Sequence, residues 1–329
     1  MIWVLIALGM AYGFLNGMND SGSLTAAVIC CGAVGPRRAL LLTAAAQLVG
    51  ALLVGVAVAR AIGGVIAAPD LITAPVVVSA LAAAVAWSLF TGALGLPSST
   101  SHALVGALAG AAWMQSGPRA ISFPGLGTVL VVLFISPWIG FGASYLTMKL
   151  LLALLSDASP RMGNRLRQVQ WLLAPVVAVG HGANDAQKVM GIVALGLVAL
   201  GALPAFTIPP WLQIAAALSL AAGTSVGGMR ILRTLGLRLY RMRPIHGFAA
   251  QASAAAVVLS ASILGGPVST TQVISASIAG AGSAQRRSQV RWGVIGNIVV
   301  AWVLTIPAAG ALAAAICALL IRKWIGLAG

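Results

Sequence analysis

This 329-residue chain is short of charge: only 7% of its residues are Asp, Glu, Lys or Arg, against 60% hydrophobic residues. A soluble domain carries about a quarter charged residues, so a soluble globular fold is excluded. Glutamate is absent, and the acids total four: Asp20, Asp70, Asp157 and Asp185. Cysteine is scarce too. Cys30, Cys31 and Cys317 have neither metal-ligand nor disulfide spacing, which leaves packing as their role. What remains is a series of long apolar runs, the pattern of an all-α polytopic membrane protein. The first residues have no basic stretch or small-residue cleavage site before Asn19, so Met1 onward is expected to be the first span, in the cell (inner or plasma) membrane.

The net charge of +15 sits mostly in short loops between apolar runs, which reports orientation. No basic stripe interleaved with aromatics is present, so nucleic acid is not an expected partner. Instead the chain repeats itself. Residues 95–110 read GLPSSTSHALVGALAG and 265–282 read GGPVSTTQVISASIAGAG. Pro97, Ser99, Thr100 and His102 fall on Pro267, Ser269, Thr270 and Gln272 at a constant offset of 170. Asn19-Asp20 matches Asn184-Asp185, Pro137 matches Pro307, and Gln47 is placed against Gln213. The expected organisation is a first repeat over 1–155, a basic cytoplasmic linker over 156–170 and a second repeat over 171–329.

The loop charges then orient the halves. Arg37 and Arg38 correspond to an uncharged loop at 201–210, and the nearly neutral 60–71 loop, with Arg60 and Asp70, corresponds to one holding Arg230, Arg233, Arg238, Arg241 and Arg243. Opposite bias in equivalent loops predicts inverted-topology repeats. Segment 246–282 is flanked by basic loops on both sides, so it should enter and leave on the cytoplasmic side. Each half is therefore expected to hold three crossings plus one re-entrant helical hairpin, with both termini extracytoplasmic and Arg322 and Lys323 as exceptions to the charge rule. The runs around Asn16–Gly22 and His181–Asp185 predict that the first crossing of each half is broken by an unwound turn.

Asp20 and Asp185 are the only acids inside apolar segments. A carboxylate there costs at least about 2.5 to 3.5 kcal/mol, so a partner or a function is expected. With the Asn19 and Asn184 oxygens they suit Na⁺, or H⁺ on a carboxylate. Ser23 and Gln187 lie on the same segments and join the cation-coupling set. Lys188, three residues after Asp185, is expected to pair with it or to contact an anion. After each Pro a new helix begins, with unpaired N–H groups and the positive end of its dipole at the break. Ser98, Ser99, Thr100, Ser269, Thr270 and Thr271 add donors, making an oxyanion site. His102, His181, Gln251 and Gln272 are further candidates. For His102, proton carrier and packing residue stand side by side.

These motifs, Gly-Met-Asn19-Asp20, His181-Gly-Ala-Asn184-Asp185-Ala-Gln187-Lys188, Leu96-Pro97-Ser-Ser-Thr-Ser-His102, Pro267-Val-Ser-Thr-Thr-Gln272 and Ala301-Trp302-Val-Leu-Thr305-Ile-Pro307, resemble the inorganic phosphate transporter family over essentially the whole chain. The resemblance implies secondary transport of phosphate driven by Na⁺ or H⁺, by a homodimer in the lipid bilayer, with no enzymatic activity and no cofactor beyond the coupling ion. Asn19 and Asn184, with the Ser/Thr turns and Lys188, are then phosphate ligands, and any Na⁺ falls to Asp20 and Asp185. The chain departs from the family where Ser23 replaces Asn, Gln251 replaces Glu and Gln272 replaces His. The latter two changes remove titratable groups from the second hairpin. A sulfate or other oxyanion permease, an anion channel and an intramembrane hydrolase built on Ser99 or Ser101 with His102 are the competing functions.

Overall fold

The computed structural model describes residues 1–65, 71–157, 159, 161–240 and 242–328. Asp70, Arg241 and the Lys323 side chain, which enter the charge pattern above, lie outside the described residues. The described residues form twelve α-helices and no strand. The first six are α1 Ile2–Cys30, α2 Pro36–Leu53, α3 Ala57–Val65, α4 Ala74–Leu94, α5 Thr100–Ser116 and α6 Phe123–Leu154. The second six are α7 Met162–Ala199, α8 Pro210–Val226, α9 Met229–Arg233, α10 Pro244–Ile263, α11 Thr270–Gln285 and α12 Trp292–Ala328. Proline opens α2, α4, α6, α8 and α10, where its fixed φ is pre-set for a helix and its missing N–H costs nothing.

Helices α1, α4, α6, α10 and α12 are long and apolar enough to cross a membrane. Two further candidates are bent pairs: α2 with α3 at 78°, and α8 with α9 and the turn after it at 56°. This is a multi-pass membrane protein. Helix α7, carrying His181, Asn184, Asp185 and Lys188, is too polar to be counted among the five.

Helices α1 and α7 correct the expectation of two unwound turns. Both run as continuous α-helix through Asn19-Asp20 and Asn184-Asp185. Their small and polar residues serve packing and side-chain bonding instead of unwinding. Ser21 and Thr25 donate back to the carbonyls of Met18 (2.7 Å) and Ser21 (2.6 Å), which keeps the backbone helical. A Cβ on Gly17 would collide with the Leu220 carbonyl, and one on Gly182 with the Gln47 carbonyl, so these glycines let α1 close on α8 and α7 on α2. The paired contacts also revise one sequence match. Gly17 corresponds to Gly182 and therefore Gln47 to Leu220, not to Gln213, which instead donates to the Ala51 and Leu52 carbonyls.

The halves interdigitate, with α5 packed on α12 and α11 on α6. The two Pro-Ser/Thr stretches each join antiparallel helices through a matching cap. Gly95 (φ +67) and Gly265 (φ +75) take the left-handed conformation that ends α4 and α10. The following amides, Leu96 and Gly266, return to the carbonyls of Thr91 (3.0 Å) and Ala261 (2.8 Å). Three residues later, at Ser99 and Ser269, α5 and α11 start from nearly identical extended conformations. Helix α3 touches the second cap, where Ala57 lies against Gly265, and the turn after α9 touches the first, where Thr234 Oγ1 donates to the Gly95 carbonyl (2.9 Å).

Candidate functional site

At the centre of the molecule α1, α7 and the starts of α5 and α11 bring four ionisable groups together. His181 Nε2 lies 3.1 Å from Asp20 Oδ2 and 3.2 Å from Asp185 Oδ2. Asp185 Oδ1 accepts from Lys188 Nζ at 2.5 Å. The same ammonium donates to Ser101 Oγ and to the Val268 carbonyl, each at 2.6 Å. Lys188 thus reaches both hairpin tips while fully buried. Its three donors are all used, which is what makes a buried ammonium tolerable.

The second tip supplies the hydroxyls that face the acids. Thr271 Oγ1 donates to Asp20 Oδ1, and Thr270 Oγ1 lies 3.2 Å from Asp20 Oδ2 and 3.4 Å from Asp185 Oδ2. These bonds give both carboxylates a hydroxyl donor from the second tip. Behind His181, Gln47 Nε2 lies 2.9 Å from Nδ1, and Gln47 Oε1 accepts from Thr224 Oγ1 at 2.6 Å. Gln47 and Thr224 were not among the site residues expected from sequence. The buried His181 one helical turn before Asp185 was the available hint that α7 needed a polar partner.

The first tip is built differently. Ser98 Oγ donates to Thr91 Oγ1 (2.7 Å), Ser99 Oγ caps α5 by accepting from the His102 amide (3.1 Å), and Thr100 Oγ1 donates to Asn16 Oδ1 (2.9 Å). These three hydroxyls shape the tip, and Ser101, the next residue, is the one that reaches Lys188. Ser269 is at the N-terminus of α11, but its hydroxyl makes no capping bond. Asn19 and Asn184 tie helices to hairpins: Asn19 Nδ2 donates to the Ser88 carbonyl (2.9 Å) and Asn184 Nδ2 to the Gly266 carbonyl (3.0 Å).

Two residues expected at the cation are elsewhere. Gln187 Oε1 accepts from the amides of Val58 (2.8 Å) and Ala59 (3.3 Å), capping the first turn of α3. It points away because those amides are otherwise unpaired in a buried place. Among the described residues the Ser23 hydroxyl bonds to neither carboxylate and has no partner; it lines a small cavity with Gln251, whose two amide atoms are also unpartnered there. His102 and Gln272, equivalent positions of the two tips, meet each other: Gln272 Nε2 lies 3.0 Å from His102 Nδ1. The His102 ring also lies tilted against Phe134 with centroids 5.0 Å apart, and its Nε2 has no partner among the described residues, so it packs against the second hairpin and does not touch the acids.

Twelve helices among the described residues, two matched hairpins and a buried cluster of ionisable side chains where the tips meet define a polytopic membrane protein with a polar centre. The phosphate transporter family model matches residues 16–313, and the chain belongs to that family. A probable low-affinity inorganic phosphate transporter of Rhizobium meliloti (strain 1021) is 38% identical over 315 residues, covering 95% of this chain and 94% of that one. A relative of the same description from Bacillus subtilis (strain 168) is 35% identical, with 94% of each chain covered. Among solved structures, one titled the sodium-dependent phosphate transporter superposes with a TM-score of 0.90 over 98% of this chain and 99% of that chain, at 22% identity. It is alike in fold. The family and these relatives are named for transport, not for catalysis.

Proposed function

We propose that this chain is a secondary transporter of inorganic phosphate, coupled to protons and working by alternating access between two inverted halves. One observation carries the proposal: a single buried ammonium, Lys188, touches both hairpin tips and one of two carboxylates bridged by His181. An oxyanion entering between the tips exchanges with these contacts. It takes donors from Lys188, Ser101, Thr270 and Thr271, and it meets acceptors in Asp20, Asp185 and the Val268 carbonyl. Sulfate needs donors only, whereas a phosphate that keeps a proton needs an acceptor as well, so the mixed set favours phosphate.

Proton coupling is favoured by what bridges the acids. Na⁺ prefers oxygen ligands, but here an imidazole nitrogen stands between the carboxylates, and imidazole is a proton carrier. With His181 neutral, Asp20, Asp185 and Lys188 leave the cluster at one net negative charge; a proton on His181 removes it. One unit of charge at about 6 Å and an effective dielectric constant near 20 is worth about 3 kcal/mol, or roughly a hundredfold in affinity for an anion. Proton and phosphate binding are then mutually reinforcing, as linkage requires. The Gln47 amide serves either state, because turning it over presents Oε1 to a protonated Nδ1.

The repeat is supported by the matched caps and by the exchanged packing of α1 on α8 and α2 on α7, and its inversion by the loop charges alone. The inversion places both termini outside the cytoplasm, and the homodimer implied by the family resemblance belongs with it. Purified protein in liposomes tests the assignment. Phosphate uptake should dominate over sulfate, and Asp20→Asn and Asp185→Asn should each abolish it. Dominant sulfate uptake, or normal uptake in both variants, would overturn the proposal.

A further inference from the structure

Two adjoining cavities lie away from the central cluster, where α11, α12 and the π-helical turn after α9 meet. One is a recess of about 570 Å³ of mixed polar and apolar lining, formed by Gly236, Leu237, Tyr240, Arg243, Gln289 and Arg291. Both guanidinium groups are exposed, and neither forms a salt bridge among the described residues. The recess is also pre-ordered. The Tyr240 hydroxyl lies 3.0 Å from His246 Nε2 and 3.3 Å from Gln285 Oε1, which fixes its inner wall.

The second cavity is a cleft of about 480 Å³ between α6, α11 and α12. Its walls are apolar, from Trp292 at the recess end to Trp302 and Phe134 deeper in the span. The two cavities are lined by residues adjacent in the chain. Leu239 lines the cleft and Tyr240 the recess, while Trp292 lines the cleft and Arg291 the recess. The Arg291 amide donates to the Leu239 carbonyl at 3.2 Å, tying the two linings together. Each volume is in the range of a ligand site.

We propose that this pair of cavities binds one anionic phospholipid, its phosphate between Arg243 and Arg291 and an acyl chain in the cleft. Guanidinium groups pair with phosphate oxygens bidentately, and basic recesses at the cytoplasmic ends of membrane helices suit anionic headgroups. Free phosphate would satisfy the arginines but leave the apolar cleft without a matching occupant. A zwitterionic lipid would fill the cleft but carry no net charge to the arginines. An anionic lipid fits both. The indole of Trp292 marks the interface depth at which headgroup and tail would part. Gln272, on the cleft wall, holds His102 of the opposite hairpin at 3.0 Å, so a bound chain would rest against the structure that supports both tips.

The test is lipid retention by the full chain, measured by native mass spectrometry after purification in phosphatidylglycerol or in phosphatidylcholine of the same acyl composition. One phosphatidylglycerol per protomer is expected, retained about tenfold or more over phosphatidylcholine. The double variant Arg243→Gln with Arg291→Gln should lose that preference. Ala276→Trp, which fills the cleft and leaves both arginines, should also lower phosphatidylglycerol retention about tenfold. Monodisperse elution and phosphate uptake establish that each variant is folded. Equal retention of the two lipids, or full retention by either variant, would overturn the proposal. So would complete displacement of the lipid by millimolar inorganic phosphate, which would mark the arginines as a free-phosphate site.

Discussion

The contact between Lys188 and Asp185 allows a quantitative test by a double-mutant cycle. Lys188 is fully buried and Asp185 nearly so, with Nζ and Oδ1 2.5 Å apart. In Asp185→Asn the ammonium is left with neutral acceptors alone: Ser101 Oγ, the Val268 carbonyl and the new amide oxygen. Breaking a buried pair this way costs about 3 to 5 kcal/mol, because a buried charge is left without its counter-charge. Lys188→Met is expected to cost less, about 1 to 3 kcal/mol, since Asp185 keeps His181 at 3.2 Å and Thr270 at 3.4 Å. In the double variant neither charge is stranded, so its cost should fall short of the sum of the single costs by about 2 kcal/mol or more. The assay is reversible unfolding of the purified protein in mixed micelles, with phosphate uptake measured in parallel. Additivity of the two single costs to within about 0.5 kcal/mol would refute a coupled buried pair.

Three further predictions concern other parts of the molecule. Gly182→Ala should cost about 1 to 3 kcal/mol in unfolding free energy, because its Cβ would drive α7 off the Gln47 carbonyl of α2; an unchanged midpoint would contradict the close packing. Gln251→Met should leave stability unchanged or raise it by about 1 to 3 kcal/mol, since both amide atoms lack partners next to a cavity of only about 10 Å³, at the lower limit for one water. A clear loss of stability would reveal a partner for that amide. Cys31 is buried, which pushes its thiol up to about 12, so a maleimide, which reacts with the thiolate, should fail to label it in the folded protein at pH 8. Rapid labelling at Cys31 would show the α1 C-terminus to be open.

How much could be read from the sequence depended on whether a residue's role was local. Pro97 and Pro267, each after a glycine and before a hydroxyl cluster, require a cap, a turn and a new helix, and this is how the hairpins are built. The acids Asp20 and Asp185 announced themselves by their cost in an apolar run. Asn16–Gly22 misled because glycine and short polar residues have two uses in a membrane helix. They can interrupt it, or they can let another helix approach, and Gly17 on the Leu220 carbonyl is the second use. No local pattern separates the two. Gln187 was expected at the cation and Gln47 was not expected at the site for a related reason. A buried amide satisfies whichever unpaired group lies opposite, and for Gln187 that group is the start of α3, while for Gln47 it is His181. The asymmetry between the tips, where Ser101 works on one side and Thr270 and Thr271 on the other, likewise depends on which helix faces each tip.

The central claim is that a proton on His181 accompanies phosphate across the membrane. It is tested most directly by phosphate uptake into liposomes under an imposed pH gradient without Na⁺, compared with a Na⁺ gradient at uniform pH. The pH gradient alone should drive accumulation in the unaltered protein and fail to do so in His181→Gln. Accumulation driven by the Na⁺ gradient alone, or a full response to the pH gradient in His181→Gln, would contradict it.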